Sequence, residues 1–261
     1  MLEKCKLCLK HSNLCKSHAI PDSLFKKIFR ANNGKAIELS SIENEEIKHS
    51  QDSWATTQLC EGCERKLNQH YESYGMLVLS GKKALKSQDE SGIILSDFNT
   101  RKFRDFLASI LWRMSESSHP SFSNVNLPPK IQQSIRSGLN TKTELSKGTF
   151  LVRGFRLIDS TENGFSEKDL RDFIVSPFVR TDYSLNHNQI GQAICFCFTG
   201  FLFEFFISAR PTSKEYHQDF IGFNKKCYKF CFQEITKVPE LFDLMLLNFA
   251  KQKEGLSRIK S

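Results

Sequence analysis

The chain carries two Cys-x-x-Cys pairs, Cys5–Cys8 and Cys60–Cys63, and this arrangement constrains its fold more than any other feature. Pairs with this spacing turn two thiolates toward one tetrahedral Zn²⁺, and two pairs complete a structural site. Residues 1–80 hold too few apolar side chains to fold independently, so zinc binding would supply much of their folding free energy. The sequence predicts a structural zinc held by Cys5, Cys8, Cys60 and Cys63. The alternative is a set of unrelated reduced thiols.

Five further cysteines bring the total to nine. The N-terminus has no apolar signal segment, and an odd number of clustered cysteines is typical of a compartment in which thiols stay reduced, so we expect a cytoplasmic protein. Cys15 is interpreted as a spare thiol. The others stand among Phe and Tyr and are expected to be buried as small apolar side chains, namely Cys195, Cys197, Cys227 and Cys231.

The composition indicates a globular protein with its own core. Of the 261 residues, 39% are hydrophobic, 11% aromatic and 25% charged, and 23 are Phe, which predicts a Phe-rich interior. The most apolar segment, residues 190–209, contains the polar residues Gln192 and Glu204. We therefore expect no membrane span.

Periodicity and composition divide the chain into three parts and predict an α+β fold. Residues 1–80 are interpreted as a zinc finger with a polar insertion at about 30–55. Residues 81–140 are interpreted as a basic helical segment that begins with a linker near 80–92, and residues 141–261 as a β-rich domain with a C-terminal helix. The finger is expected to pack on this helical and β-rich body.

The clearest helix is predicted over residues 97–117, because its apolar residues recur at helical spacing: Phe103, Phe106, Leu107, Ile110 and Leu111. Prolines at 128–129 and 239 predict the starts of two more helices. Strands are predicted near 150–158 and 226–232, and residues 194–207 read as a hairpin about Thr199-Gly200. The strands of that hairpin show no polar alternation, which predicts burial on both faces.

The net charge of +8 is concentrated in residues 76–160, which hold 13 basic and 7 acidic residues. A basic excess of this kind fits a polyanionic partner. On the predicted helix we expect nucleic-acid backbone contacts from Arg101, Lys102, Arg104 and Arg113. The alternative is an ordinary amphipathic helix with a solvated charged face.

A histidine stands in an unusual place, within Leu14-Cys15-Lys16-Ser17-His18-Ala19-Ile20-Pro21. It is the tenth residue after Cys8 of the first cysteine pair, and the second pair leads into a predicted helix. This order resembles the zinc-bearing finger of HNH nucleases. The resemblance implies a ββα-metal, treble-clef fold for the N-terminal part and metal-assisted hydrolysis of phosphodiester bonds.

The resemblance also implies a catalytic site. His18 falls on the position of the general base, Ser17 on the preceding metal-ligand position, and Glu64 on the ligand position of the helix. The implied catalytic cation is Mg²⁺ or Mn²⁺. Ser17 stands where the family has Asp or His, and Gln58 is the best candidate for the amide that orients the base. The alternative is a finger that keeps its zinc scaffold without catalysis.

Three further segments resemble a group of stand-alone bacterial HNH-like proteins associated with phage defence: residues 17–21, 59–64 and 106–113. The resemblance covers about the first 115 residues and implies an endonuclease acting on DNA, or alternatively on RNA, with a protein activator or partner subunit as a further expectation. The competing hypothesis is a catalytically inactive zinc-finger protein that binds nucleic acid or a protein partner.

Overall fold

The computed structural model describes residues 2–39, 41–184, 190–207 and 219–258. In its N-terminal part, short strands alternate with helices: β1 (Glu3–Lys4), β2 (His11–Ser12), β3 (Leu14–His18), α1 (Asp22–Ala31), β4 (Ala36–Glu38), β5 (Lys48–Ser50), β6 (Ala55–Cys60), α2 (Glu61–Leu67) and α3 (Ser73–Leu79). A π-helical stretch, Asn68–Glu72, joins α2 to α3 without a break.

The remainder is built from longer elements: β7 (Leu85–Asp89), β8 (Gly92–Ser96), α4 (Thr100–Glu116), α5 (Pro129–Thr141), β9 (Leu151–Ile158), α6 (Glu167–Arg171), β10 (Ile174–Ser184), β11 (Ile190–Phe198), β12 (Phe201–Phe206), β13 (Cys227–Glu234) and α7 (Pro239–Lys253). The helices predicted after residue 96 and the strands predicted after residue 149 are all present, within a few residues of their expected bounds. Among the described residues, no helix has the length and apolar character needed to cross a membrane.

A seven-stranded sheet forms the centre of the molecule, with strand order β10-β11-β12-β9-β13-β8-β7. Its neighbouring strands are antiparallel except for β13 and β9, which pair in parallel. Together with the helices this makes a mixed α+β fold, as predicted. Residues 80–92, expected to be a linker, instead contain strand β7 and the turn that leads into β8, and these two strands form a hairpin at one edge of the sheet. All five residues of β7 are exposed, so its sequence lacks the apolar alternation that identifies a strand.

The two central hairpin strands are buried on both faces, as their sequence predicts. Every residue of β12 is buried. Phe196 and Phe203 face the core that contains α4, whereas Cys197 and Leu202 belong to the second core, beneath α6 and α7. The connecting turn places Thr199 and Gly200 at φ of 52° and 74°, the left-handed pair that a two-residue hairpin requires.

Helix α4 lies in the core between the sheet and the N-terminal part that holds the cysteine pairs. The sequence predicts one buried face, yet 13 of its 17 residues are buried. Its Phe103 ring lies 6.4 Å from that of Phe203 on the sheet, and Gly75 of α3 lies so close to Phe106 that a Cβ there would stand 2.0 Å from a ring carbon. Since neighbours cover it on all sides, charged residues of α4 are buried as well.

The polar insertion expected at residues 30–55 contains the short β4–β5 hairpin and contacts the opposite end of the chain. The amide of Ile47 donates to the Leu256 carbonyl at 3.1 Å, and the amide of Arg258 donates to the Ile47 carbonyl at 2.9 Å. Lys251 of α7 donates to the carbonyl of Ile42 at 2.6 Å. The N-terminal insertion is thus joined to the C-terminal helix.

Candidate metal centre and adjoining polar cluster

Four cysteines from two distant segments meet at the N-terminal end of α2. Cys5 and Cys8 lie on the turn between β1 and β2, which is closed by a 2.9 Å bond from the Cys5 amide to the Lys10 carbonyl. Cys60 is the last residue of β6, and Cys63 lies in the first turn of α2. The four Sγ atoms lie within 4.8 Å of one another. This is the group of four predicted from the sequence.

The donor set fits a structural zinc ion. Four Zn–S bonds of about 2.3 Å in a tetrahedron place sulfurs about 3.8 Å apart, and the Cys8 and Cys60 Sγ atoms are 4.0 Å apart. Burial opposes ionisation of Cys5, but backbone amides of Cys8, Cys60 and Leu7 lower its pKa to about 7. Burial raises the pKa of Cys63. A bound cation would stabilise all four thiolates together.

A second cluster adjoins the cysteines and is built on the pairing of β3 with β6. These strands run antiparallel, with Ser17 opposite Thr56 and His18 opposite Ala55, and α2 follows β6 directly. Ser17 is fully buried and donates its hydroxyl to Glu64 Oε2 at 2.7 Å. The two positions that the HNH resemblance assigns to metal ligands are therefore in direct contact with each other.

Arg113 completes this cluster from α4. Its side chain has no exposed surface, and it donates to Glu64 Oε1 at 3.4 Å and to Glu72 Oε2 at 3.0 Å. Glu64 and Glu72 are eight residues apart, which on a regular α-helix separates the two side chains by about 80° around the helix axis. The π-helical stretch between them adds the residue that brings both carboxylates to one guanidinium.

His18 lies at the end of β3 with its side chain 20% exposed. Its Nε2 is 2.9 Å from Ser53 Oγ and 3.4 Å from Asp22 Oδ1. Burial lowers the pKa of His18, against the opposing influence of the Asp22 and Glu64 carboxylates. The imidazole is consequently neutral at pH 7 and reaches solvent.

Sequence reasoning missed several members of this cluster. Gln58 was the candidate for orienting the base, but its amide is buried and donates to Thr56 at 2.7 Å. The groups next to His18 are instead Ser53 and Asp22. Asp22, four residues after His18 at the start of α1, could have been found from this spacing. Glu72 could not, because its direction depends on the π-helical stretch.

Two of the four residues expected to contact nucleic acid do not face solvent. Arg104 and Arg113 are fully buried, so their assignment as phosphate contacts is corrected. Arg104 donates to the Leu145 carbonyl and lies 3.4 Å from the carboxylate of Asp105. Both buried arginines thus contact carboxylates, and Arg104 also contacts a backbone carbonyl, instead of facing solvent. Arg101 and Lys102, at the N-terminal end of α4, remain partly exposed.

Comparisons of the chain with known protein families, with curated proteins and with solved structures found no match. The functional proposal therefore rests on the contacts and burial of the described residues.

Proposed function

We propose that the protein is a divalent-metal-dependent endonuclease of HNH type, with DNA as substrate and RNA as the alternative. One observation carries the proposal: the paired strands β3 and β6, with α2 directly after β6, bring His18 close enough to Glu64 for this carboxylate to influence its pKa, next to the four-cysteine cluster. A strand pair, a helix and a cysteine cluster in this order are what a ββα-metal, treble-clef scaffold requires. The zinc would hold this scaffold together.

His18 is suited to act as the general base. A base needs a free imidazole nitrogen at the working pH, and burial keeps His18 neutral at pH 7. Its partly exposed ring can accept a proton from a water at the surface. Ser53 and Asp22 both lie near Nε2 and orient the ring. We assign removal of a proton from the attacking water to His18.

Glu64 is suited to hold Mg²⁺ or Mn²⁺. A carboxylate has about four acceptor positions, and the bonds from Ser17 and Arg113 occupy two of them. The side chain is 25% exposed, so the other positions can face solvent. Mg²⁺ keeps several waters and needs one or two carboxylates, which fits Glu64 with Glu72 nearby. When bound, such a cation polarises the scissile phosphate.

Ser17 has a different role in this proposal from the one that the resemblance implies. Its hydroxyl donates to Glu64, so it fixes the direction of that carboxylate. Arg113 does the same from the other side, since its buried guanidinium contacts both Glu64 and Glu72. Ser17 and Arg113 are thus positioning residues.

A second candidate function is a zinc-finger module that binds nucleic acid or a protein partner without cleaving it. The contacts of Arg113 favour it, because the guanidinium already neutralises much of the charge of Glu64 and Glu72. A divalent cation would then bind these two carboxylates more weakly.

The deciding experiment compares cleavage of supercoiled plasmid and single-stranded DNA by the wild type, His18→Ala and His49→Ala, in Mg²⁺ and in Mn²⁺ at matched zinc content. His49 is an exposed histidine of β5 and serves as the control. For a nuclease, His18→Ala should lower the cleavage rate about 10²- to 10⁴-fold, while His49→Ala leaves it unchanged. A folded, zinc-loaded wild type that cleaves neither substrate in either metal would favour the binding module.

A further inference from the structure

A basic cavity opens at the N-terminal end of α4, away from the His18 cluster. Its volume is about 650 Å³, which lies within the range of ligand sites. It is bounded by α3, by the β8–α4 junction and by the segment that enters β13. Its lining includes five cationic side chains, Lys83, Arg101, Lys102, Lys225 and Lys226, and two carboxylates, Asp97 and Glu144.

The cationic side chains outnumber the carboxylates and are only partly neutralised. Arg101 pairs with Glu144 at 3.0 Å. Lys102 lies over the ring of Tyr74, 4.8 Å from its centroid. The other three lysines of the cavity are exposed, and no carboxylate of the described residues lies within ion-pair distance of them. Three unneutralised ammonium groups from two separate segments thus face one open space.

The backbone adds to this positive potential. The N-terminal end of a helix carries a partial positive charge, and α4 is 17 residues long. The Asn99 side chain accepts from the Lys102 amide at 2.9 Å, which satisfies one of the free N–H groups of the first turn. The helix end and the lysines therefore favour an anion in the same cavity.

We infer that this cavity binds the phosphodiester backbone of a nucleic-acid strand. The choice of a polynucleotide rests on the proposed function, whereas the preference for phosphate follows from the cavity itself. Arg101 and Lys102 would contact phosphates here, together with lysines that sequence reasoning did not connect to them. The ammonium groups give a contact that does not depend on base sequence.

The position of the cavity sets a distance to the proposed catalytic cluster. Lys102 and Arg113 are 11 residues apart on α4, which at 1.5 Å per residue is about 17 Å. They also lie on nearly the same face of the helix, because 11 residues make about three turns. Lys102 in the cavity is therefore separated along α4 by about 17 Å from the arginine that positions Glu64.

The test measures binding of a fluorescent 12-nucleotide single strand by anisotropy, without Mg²⁺ or Mn²⁺, so that it does not depend on cleavage. The double variant Lys225→Ala/Lys226→Ala is compared with Lys35→Ala/Lys168→Ala, which removes the same charge from exposed sites elsewhere. We expect the first variant to bind on the order of tenfold more weakly. The slope of log affinity against log salt concentration should become less steep by about 1.4, because each lost phosphate contact removes about 0.7 from it.

Equal weakening in both double variants would overturn the inference, since it would show that net charge alone governs binding. Complete displacement of the strand by a nucleoside triphosphate at equimolar concentration would also overturn it and reassign the cavity to a free nucleotide. A wild type that binds through these lysines but cleaves nothing would leave this inference standing and refute only the proposed nuclease.

Discussion

At the scale of single residues, Arg113 is the group on which the polar cluster depends. It lies without exposed surface between Glu64 and Glu72, and it reaches them from a helix that belongs to the core of the molecule. Removal of one partner of a buried ion pair leaves an uncompensated charge, which is costlier than the loss of the pair as a whole. The two glutamates and the arginine must therefore be considered together.

We predict that Arg113→Met lowers the free energy of unfolding by about 3–5 kcal/mol. The physical reason is that Glu64 and Glu72 keep their charges but lose their shared cation. Urea denaturation at matched zinc content measures the effect. In the triple variant Arg113→Met/Glu64→Gln/Glu72→Gln part of the stability should return, and a single variant as stable as the wild type would contradict the prediction.

The buried Arg104–Asp105 pair predicts a pH dependence. Burial raises the pKa of Asp105 from 3.8 to about 6, although Arg104 and the Leu145 amide oppose this. Because the folded state holds this proton more tightly than the unfolded chain, the contribution is present at low pH and is lost as pH rises through about 6.

Between pH 5 and pH 7 this contribution should decrease by about 1 kcal/mol. The free energy of unfolding is measured by urea denaturation across that interval for the wild type and Asp105→Asn. The difference between the two proteins isolates the titration of Asp105, because all other groups are shared. A difference that is constant with pH would show that Asp105 is ionised throughout.

At the scale of elements, the contact between α3 and α4 sets a close limit on side-chain size. Gly75 faces the ring of Phe106, and an added Cβ would come within 2.0 Å of it. Gly75→Ala is therefore expected to lower the free energy of unfolding by about 1–3 kcal/mol through overpacking. The matched control is Gly62→Ala on α2, where a Cβ meets nothing within 4 Å.

Both substitutions gain the same helix propensity, so the sign of the change separates packing from propensity. Gly62→Ala should be neutral or stabilising by up to about 1 kcal/mol. Thermal and urea unfolding of the two variants measure the difference. Equal stability of the two variants would mean that α3 moves freely relative to Phe106.

The elements also show what could be predicted from the sequence and why. The helix at Thr100–Glu116 and the strand at Phe201–Phe206 were predictable, because their apolar patterns reflect the burial of their own side chains. The hairpin strand Leu85–Asp89 was not, because an exposed edge strand keeps polar residues on both faces. The grouping of the four cysteines was evident from their spacing alone. The burial of Arg113 depends on carboxylates from another element, which no local pattern records.

At the scale of the whole molecule, the four-cysteine cluster and the sheet are linked through the helices between them. Arg113 joins α4 to α2, and Arg136 of α5 donates to the Leu7 carbonyl beside Cys8 at 3.2 Å. The stability of the cysteine cluster is therefore coupled to α4 and α5, which lie outside the segments that carry the cysteines.

We predict one zinc ion per chain and a local loss of structure when the site is broken. Cys63→Ser should reduce zinc to well below one equivalent by elemental analysis and remove hydrogen-exchange protection from β3, β6 and α2, while β11 and β12 stay protected. Cys15→Ser is the matched control, because Cys15 donates to the Leu59 carbonyl and lies outside the cluster. Full zinc content in Cys63→Ser would contradict the assignment.

The position of β13 has a consequence for biosynthesis. Residues 227–234 pair with β9 on one side and with β8 on the other, so within the described part of the sheet this strand joins the 85–96 hairpin to the strands that follow residue 150. A nascent chain holds two separate sheet fragments with open edges until this late strand leaves the ribosome. Helix α4 packs against this sheet and positions Arg113 in the polar cluster. Before β13 is made, the proposed catalytic site therefore lacks the sheet that holds α4 in place. A cell would thus encounter the finished site only after synthesis has passed residue 234.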